Sequence, residues 1–271
     1  MSRSLVLAAL VWLFARGMGL AGCAAMPLGQ GKVKLYIYAA ASLNEPFEAI
    51  ARQFESDQPG VDVILAFGGS QQLAGQIIES AQADVFASAN QKQMDVLVSA
   101  GKAQASLVRH FASNRLVIIV PKDNPAGMGE VQNLTKPGQR LVLAAAEVPV
   151  GQYTLEFLDK VTVEAELGDS FRELVLQNVV SYENDVKAVL AKVVLGEADA
   201  GIVYFSDVSK STAEKVIRIE IPERWNVTAR YPISALSGSA QPELAEAFVD
   251  FVLSSQGQAI LAQYGFLPAA P

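Results

Sequence analysis

From Val33 onward the chain switches repeatedly between a period-two and a 3.6-residue apolar pattern, and that alternation restricts the fold more than any other feature. Residues 33–40 are apolar and β-branched, whereas Phe47, Ile50, Ala51 and Phe54 recur at helical spacing, and Gly60 closes this unit. Val61, Val63, Leu65 and Phe67 alternate as a second strand, Leu73 and Ile77 share a helix, residues 84–88 make a third short strand, and Met94, Leu97 and Val98 mark a third helix. A βαβαβα series of this kind calls for a parallel sheet covered on both faces.

A second series opens with the buried-strand run 116–120, closed by Pro121, and continues at 141–146. Helices are predicted at 154–161 and 186–195, and strands at 179–182, 200–204 and 216–219. A long alternating stretch, 227–236, leads into two terminal helices at 242–253 and 256–263. With 271 residues, 51% of them hydrophobic, the chain can fill one large core or two ordinary ones. The predicted class is α/β, with two Rossmann-like lobes and a ligand cleft between them. Lobe I takes residues 33–113 and 229–271 and lobe II residues 114–228, with crossing strands near 114–120 and 229–236.

The N-terminus reads as a targeting segment. Arg3 precedes an unbroken apolar run, 5–14, too short for the roughly 20 residues of a membrane-spanning helix but of secretory-signal length. Leu20-Ala21-Gly22-Cys23 then resembles the lipobox of bacterial lipoproteins, in which cleavage precedes an acylated cysteine. Segment 1–23 is therefore predicted as a lipoprotein signal, with Cys23 the lipid anchor at a membrane surface and 24–32 a Gly- and Pro-containing tether. Ordinary cleavage nearby, for instance after Ala25, is the alternative and leaves an exported, freely diffusing protein.

Charge narrows the partners. Twenty-one basic against 28 acidic residues give a net charge of −7, and loss of Arg3 and Arg16 with the leader leaves 19 against 28. Such a chain lacks the basic stripe that nucleic acid requires. Its one cysteine and its one histidine, His110, build neither a disulfide framework nor a zinc site. Catalytic signatures are equally thin. No Gly-x-Ser-x-Gly elbow or Walker pattern is present, and Ser99-x-x-Lys102 lacks a supporting Lys-Thr-Gly, its Gly101 marking a helix end instead.

What stands out is a set of strand-to-helix junctions carrying small or hydroxyl residues. Ser42-Leu-Asn-Glu45 fits a capping box with Pro46 in the first turn, and Gly68-Gly69-Ser70 occupies the next such junction. Two helix N-termini at adjacent parallel strands would aim unpaired N–H groups at one point, a ready anion site.

Several motifs in order, Ala39-Ala-Ala-Ser42-Leu43, Phe67-Gly-Gly-Ser70, 83–89 (Ala-Asp-Val-Phe-Ala-Ser-Ala), Val148-Pro-Val-Gly-Gln-Tyr153 and Gly201-Ile-Val-Tyr-Phe-Ser-Asp207, resemble the molybdate-binding proteins of ABC importers. The ending Tyr264-Gly-Phe-Leu-Pro268 resembles that of the wider oxyanion-binding group, so the similarity runs from Val33 to Pro268. It implies a periplasmic-binding-protein fold with two crossover strands and an extracytoplasmic, monomeric receptor. That receptor has no enzymatic activity and no cofactor, and it hands molybdate, and tungstate as well, to an ABC permease and its ATPase. It further implies that the ligand is held by the hydroxyls of Ser42 and Ser70, the amides of Val150 and Val186, and the phenol of Tyr204. Val150 stands where the family usually has alanine, and Asp185, beside an anion site, is expected to point away, capping its own helix or bonding a hinge group. The competing readings are a tungstate or sulfate receptor of the same fold and an exported serine hydrolase using Ser42 or Ser70.

Overall fold

Parallel pairing of β1 (Val33–Ala40) with β2 (Val61–Gly68) on one side and β3 (Val85–Ala87) on the other builds the centre of the first half of the computed structural model. Residues 31–164, 167–209 and 211–269 are described. The predicted signal segment, Cys23 and nearly all of the tether lie outside them.

Three intervening helices, α1 (Asn44–Asp57), α2 (Ser70–Ile78) and α3 (Gln91–Ser99), cover the sheet. Alternation along β3 shows why both faces are buried. Val85 and Ala87 join one apolar cluster with Phe47, Ile50 and Phe54 of α1, while Phe86 joins a second cluster with Leu73 and Ile77 of α2 and Met94 and Leu97 of α3.

The strand after α3, β4 (Arg109–Pro121), is the spine of the molecule. Residues 109–115 pair antiparallel with β9 (Thr228–Ala235), which itself pairs with β3, whereas Leu116 to Pro121 pair with β7 (Ala200–Tyr204) and β8 (Val216–Glu220). Beyond β7 lie β5 (Leu141–Ala144) and, at the edge, β6 (Val179–Glu183), both running parallel. One path therefore runs β2-β1-β3-β9-β4-β7-β5-β6, with β8 on the side of β4. The second half carries α4 (Pro149–Val163), α5 (Phe171–Gln177) and α6 (Val186–Val194), and α7 (Pro242–Leu253) and α8 (Ser255–Gln263) return the chain to the first half. Among the described residues, those from Lys32 onward form one compact unit.

The parallel sheet expected of the first series is present in β2-β1-β3, and the antiparallel pairings come from the crossing strands β4 and β9. Two expectations need correcting. The strand read as 116–120 begins at Arg109, since the polar segment Ser113-Asn114-Arg115 hides a continuous strand from a hydropathy reading. Helix α4 starts five residues before 154, at a proline that serves as its first residue, and α5 was not anticipated.

Candidate functional site

Register places the first two site residues side by side. Ala40 of β1 lies opposite Gly68 of β2, so Ser42 and Ser70, each two residues further on, emerge together at the carboxyl ends of adjacent parallel strands. Ser42 sits in a 3-10 turn, Ala41–Leu43, that precedes α1. It makes no capping bond to that helix, which overturns the capping-box expectation for Ser42-Leu-Asn-Glu45. Its hydroxyl instead lies 3.1 Å from the phenol oxygen of Tyr231 on β9, both buried. Ser70 is the first residue of α2, and its Oγ accepts the backbone N–H of Ala89 at 3.1 Å.

Two more helix N-termini come from the second half. In α4 the first residue is Pro149, which has no N–H, so Val150 and Gly151 supply the first free amides. The close seating of that turn depends on Gly151, because a Cβ there would meet the Ala145 carbonyl oxygen at 2.0 Å. In α6 the N-cap Asp185 accepts the Ala188 N–H at 2.9 Å, leaving the amides of Val186 and Lys187 as the orphans. Asp185 thus caps its helix, but it also lines the cavity, so the expectation that it points away from the site is not met.

Tyr204 ends β7 and closes the base. Its ring packs edge-on against Tyr231 at 5.7 Å and against Tyr153 at 6.4 Å between centroids. Its hydroxyl is buried and adjoins the Tyr231 phenol, yet no protein group meets it with hydrogen-bond geometry. Burial, followed by the neighbouring phenols and Asp207, pushes this hydroxyl well above the ordinary tyrosine range, so it stays protonated.

All five predicted ligand groups, Ser42, Ser70, Val150, Val186 and Tyr204, line one small cavity, with Ala41, Gly69, Ala89, Pro149 and Asp185 among its other walls. The residues lining the cavity include no lysine or arginine. Positive potential comes from the helix ends alone. The nearest cation named by the geometry, Lys187, is committed to the fully buried Asp207 at 3.3 Å. Burial raises the Asp207 carboxyl, Lys187 opposes that, and Asp207 Oδ2 accepts the Tyr204 backbone N–H at 3.1 Å. Asp207 therefore anchors the backbone from which the phenol projects.

The cavity is shut between the halves. Gln71 Nε2 donates to the Asn184 carbonyl at 2.9 Å, Asn90 Nδ2 to Gln152 Oε1 at 3.1 Å, and Ser209 Oγ to Glu45 Oε1 at 3.0 Å. Nothing here activates a serine. His110 lies on β4, contacts Gln91 Oε1 at 2.7 Å and is not among the residues of the cavity wall. Among the described residues no group of His, Cys, Asp and Glu could hold a metal ion. Tyr231 and Asn114 were missed as site residues. The signal for Tyr231 is its inward register with Ala229 and Ile233 on β9, where a polar-tipped aromatic must find a partner.

A family model described as bacterial extracellular solute-binding protein matches residues 35–267. The chain is 39% identical over 255 residues to the molybdate-binding protein ModA of Mycobacterium tuberculosis, covering 92% of each. Among solved structures it is similar to the substrate-binding domain of a putative molybdenum ABC transporter from Clostridium difficile, at 31% identity and a TM-score of 0.65, covering 88% of this chain and all of that one. The sulfate-binding protein SubI of M. tuberculosis shares the fold, with a TM-score of 0.79 at 19% identity over 88% of both chains.

Proposed function

The chain belongs to the bacterial extracellular solute-binding proteins, and within them to the molybdate-binding receptors of ABC importers, and from that premise we propose that its molybdate dianion sits among Ser42, Ser70, Val150, Val186 and Tyr204. It is a binding protein and not an enzyme. The observation that carries the site assignment is the Tyr204 hydroxyl, a protonated donor without a protein partner, buried where two serine hydroxyls and helix N-termini from both halves converge. A buried polar group left unpaired costs about 1–3 kcal/mol, so this donor is explained once an acceptor occupies the cavity.

Neutral donors suffice. Hydrogen bonds to a charged acceptor contribute about 1.5–3 kcal/mol each, and micromolar affinity needs only about −8 kcal/mol after the cost of association is met. An ion held by dipoles rather than by a matched cation is also easier to surrender when the permease and its ATPase pull the halves apart. Tungstate, also a tetrahedral dianion, fits the same donors. Lobe I (33–113 and 229–271) and lobe II (114–228) close about the two crossing strands, and Cys23, acylated after cleavage of the leader, tethers the exported monomer to the membrane.

Thermal melts of the mature chain with molybdate, tungstate, sulfate and phosphate test this reading. Molybdate at 100 times its dissociation constant adds about 2.7 kcal/mol, a rise of roughly 5–10 °C for a chain of this size. A shift with sulfate alone would reject the molybdate assignment.

A further inference from the structure

The two serines of the cavity share a design. A serine hydroxyl has one proton and two lone pairs, so it donates to an oxyanion only if its proton is not already spent elsewhere. Behind Ser70 stands the Ala89 N–H, which can only donate, so the Ser70 proton is left for the cavity. Behind Ser42 stands the Tyr231 hydroxyl, where either oxygen can be the donor. If Ser42 gives its proton to Tyr231, it turns lone pairs toward the anion.

The surroundings favour the other direction. Tyr231 is fully buried between Phe111 and Phe266, at 6.2 and 5.3 Å between centroids, and the polar groups beside its hydroxyl include those of Ser42, Asn114 and Tyr204. Asn114, whose Oδ1 accepts the Arg115 N–H at 2.9 Å and whose Nδ2 donates to Ser206 Oγ at 2.7 Å, borders this phenol. A bound oxyanion can only accept, so Ser42, with its single proton, donates to it only if the Tyr231 phenol supplies the proton of the 3.1 Å bond between them. Burial first, and then the negative charge of Asp207, keep that phenol protonated.

We propose that Tyr231 is the positioning residue of the site, donating its hydroxyl proton to Ser42 so that Ser42 must donate to the bound oxyanion. The inference rests on the proposed molybdate site. Tyr231 does not touch the ligand, and its contribution passes entirely through Ser42.

Calorimetric titration with molybdate of the wild-type chain, Tyr231→Phe, Ser42→Ala and the double variant tests it. Tyr231→Phe is expected to weaken binding roughly ten-fold, whereas adding it to Ser42→Ala changes nothing further, since the group it orients is already gone. A merely structural role would lower affinity in both backgrounds alike. Asn114→Ala is the second variant should Tyr231→Phe not fold, with a loss expected in the Ser42 background and none beside Ser42→Ala. Equal losses in the two backgrounds, or a Tyr231→Phe chain that binds as the wild type does, overturn the proposal alone. A wild-type chain that binds no oxyanion overturns the site reading and this inference with it.

Discussion

At the residue scale, the most telling group is the Tyr204 hydroxyl, because its two possible roles make opposite demands on the ligand-free protein. A hydroxyl that supports packing has a partner, and this one has none. Tyr204→Phe should therefore leave the ligand-free melting temperature unchanged or slightly higher, while losing one hydrogen bond to a charged acceptor, worth about 1.5–3 kcal/mol or roughly ten- to hundred-fold in affinity. Calorimetry beside a ligand-free melt checks both halves, and a large ligand-free loss with intact affinity would return Tyr204 to the core. That Ser42, Ser70 and Tyr204 come together on one cavity was legible because each sits in a short motif at a strand end. The partners that orient them were not. The Ala89 N–H meets Ser70 from the backbone, and Tyr231 meets Ser42 from a strand whose pairing no local pattern reveals.

At the element scale, the site is made of helix beginnings, and their caps decide how much positive potential is left for a ligand. Asp185 caps α6 through the Ala188 N–H and also lines the cavity, so it stabilises the helix while opposing an anion. Asparagine caps about as well as aspartate. Asp185→Asn should thus hold the ligand-free stability within a few tenths of a kcal/mol while tightening molybdate roughly three- to ten-fold by removing one repulsive charge. Asp185→Ala should lower stability by about 1 kcal/mol. Chemical denaturation and titration of both variants separate cap from charge, and weaker binding by Asp185→Asn would show that the carboxylate serves the ligand. Elements with long apolar periodicity, such as α7 and β9, were readable from pattern alone. The start of α4 was not, because the turn that carries its free amides opens with Pro149-Val150-Gly151, where a proline and a glycine interrupt the helical apolar pattern.

At the scale of the whole molecule, the proposed site makes affinity a property of closure. Ser42 and Ser70 belong to one half and Val150, Val186 and Tyr204 to the other, so neither half alone would hold the proposed donor set. Gly69 reports on this directly. Its backbone, at φ −60° and ψ 132°, is ordinary for any residue, so alanine carries no conformational penalty there. In the closed molecule, however, an added Cβ would lie 2.4 Å from the Asn184 carbonyl oxygen, which comes from the opposite half, and 2.5 Å from the Gln71 side chain. The Gln71 side chain can swing aside. The Asn184 backbone cannot without reopening the cleft beside Asp185 and Val186. Gly69→Ala should therefore melt like the wild type without ligand, lose a large part of its affinity for molybdate, and show less of the ligand-induced decrease in radius of gyration by small-angle scattering. If the variant instead contracts and binds as the wild type does, the approach of Gly69 to Asn184 is not what limits closure. Destabilisation without ligand would place the clash in the open form as well.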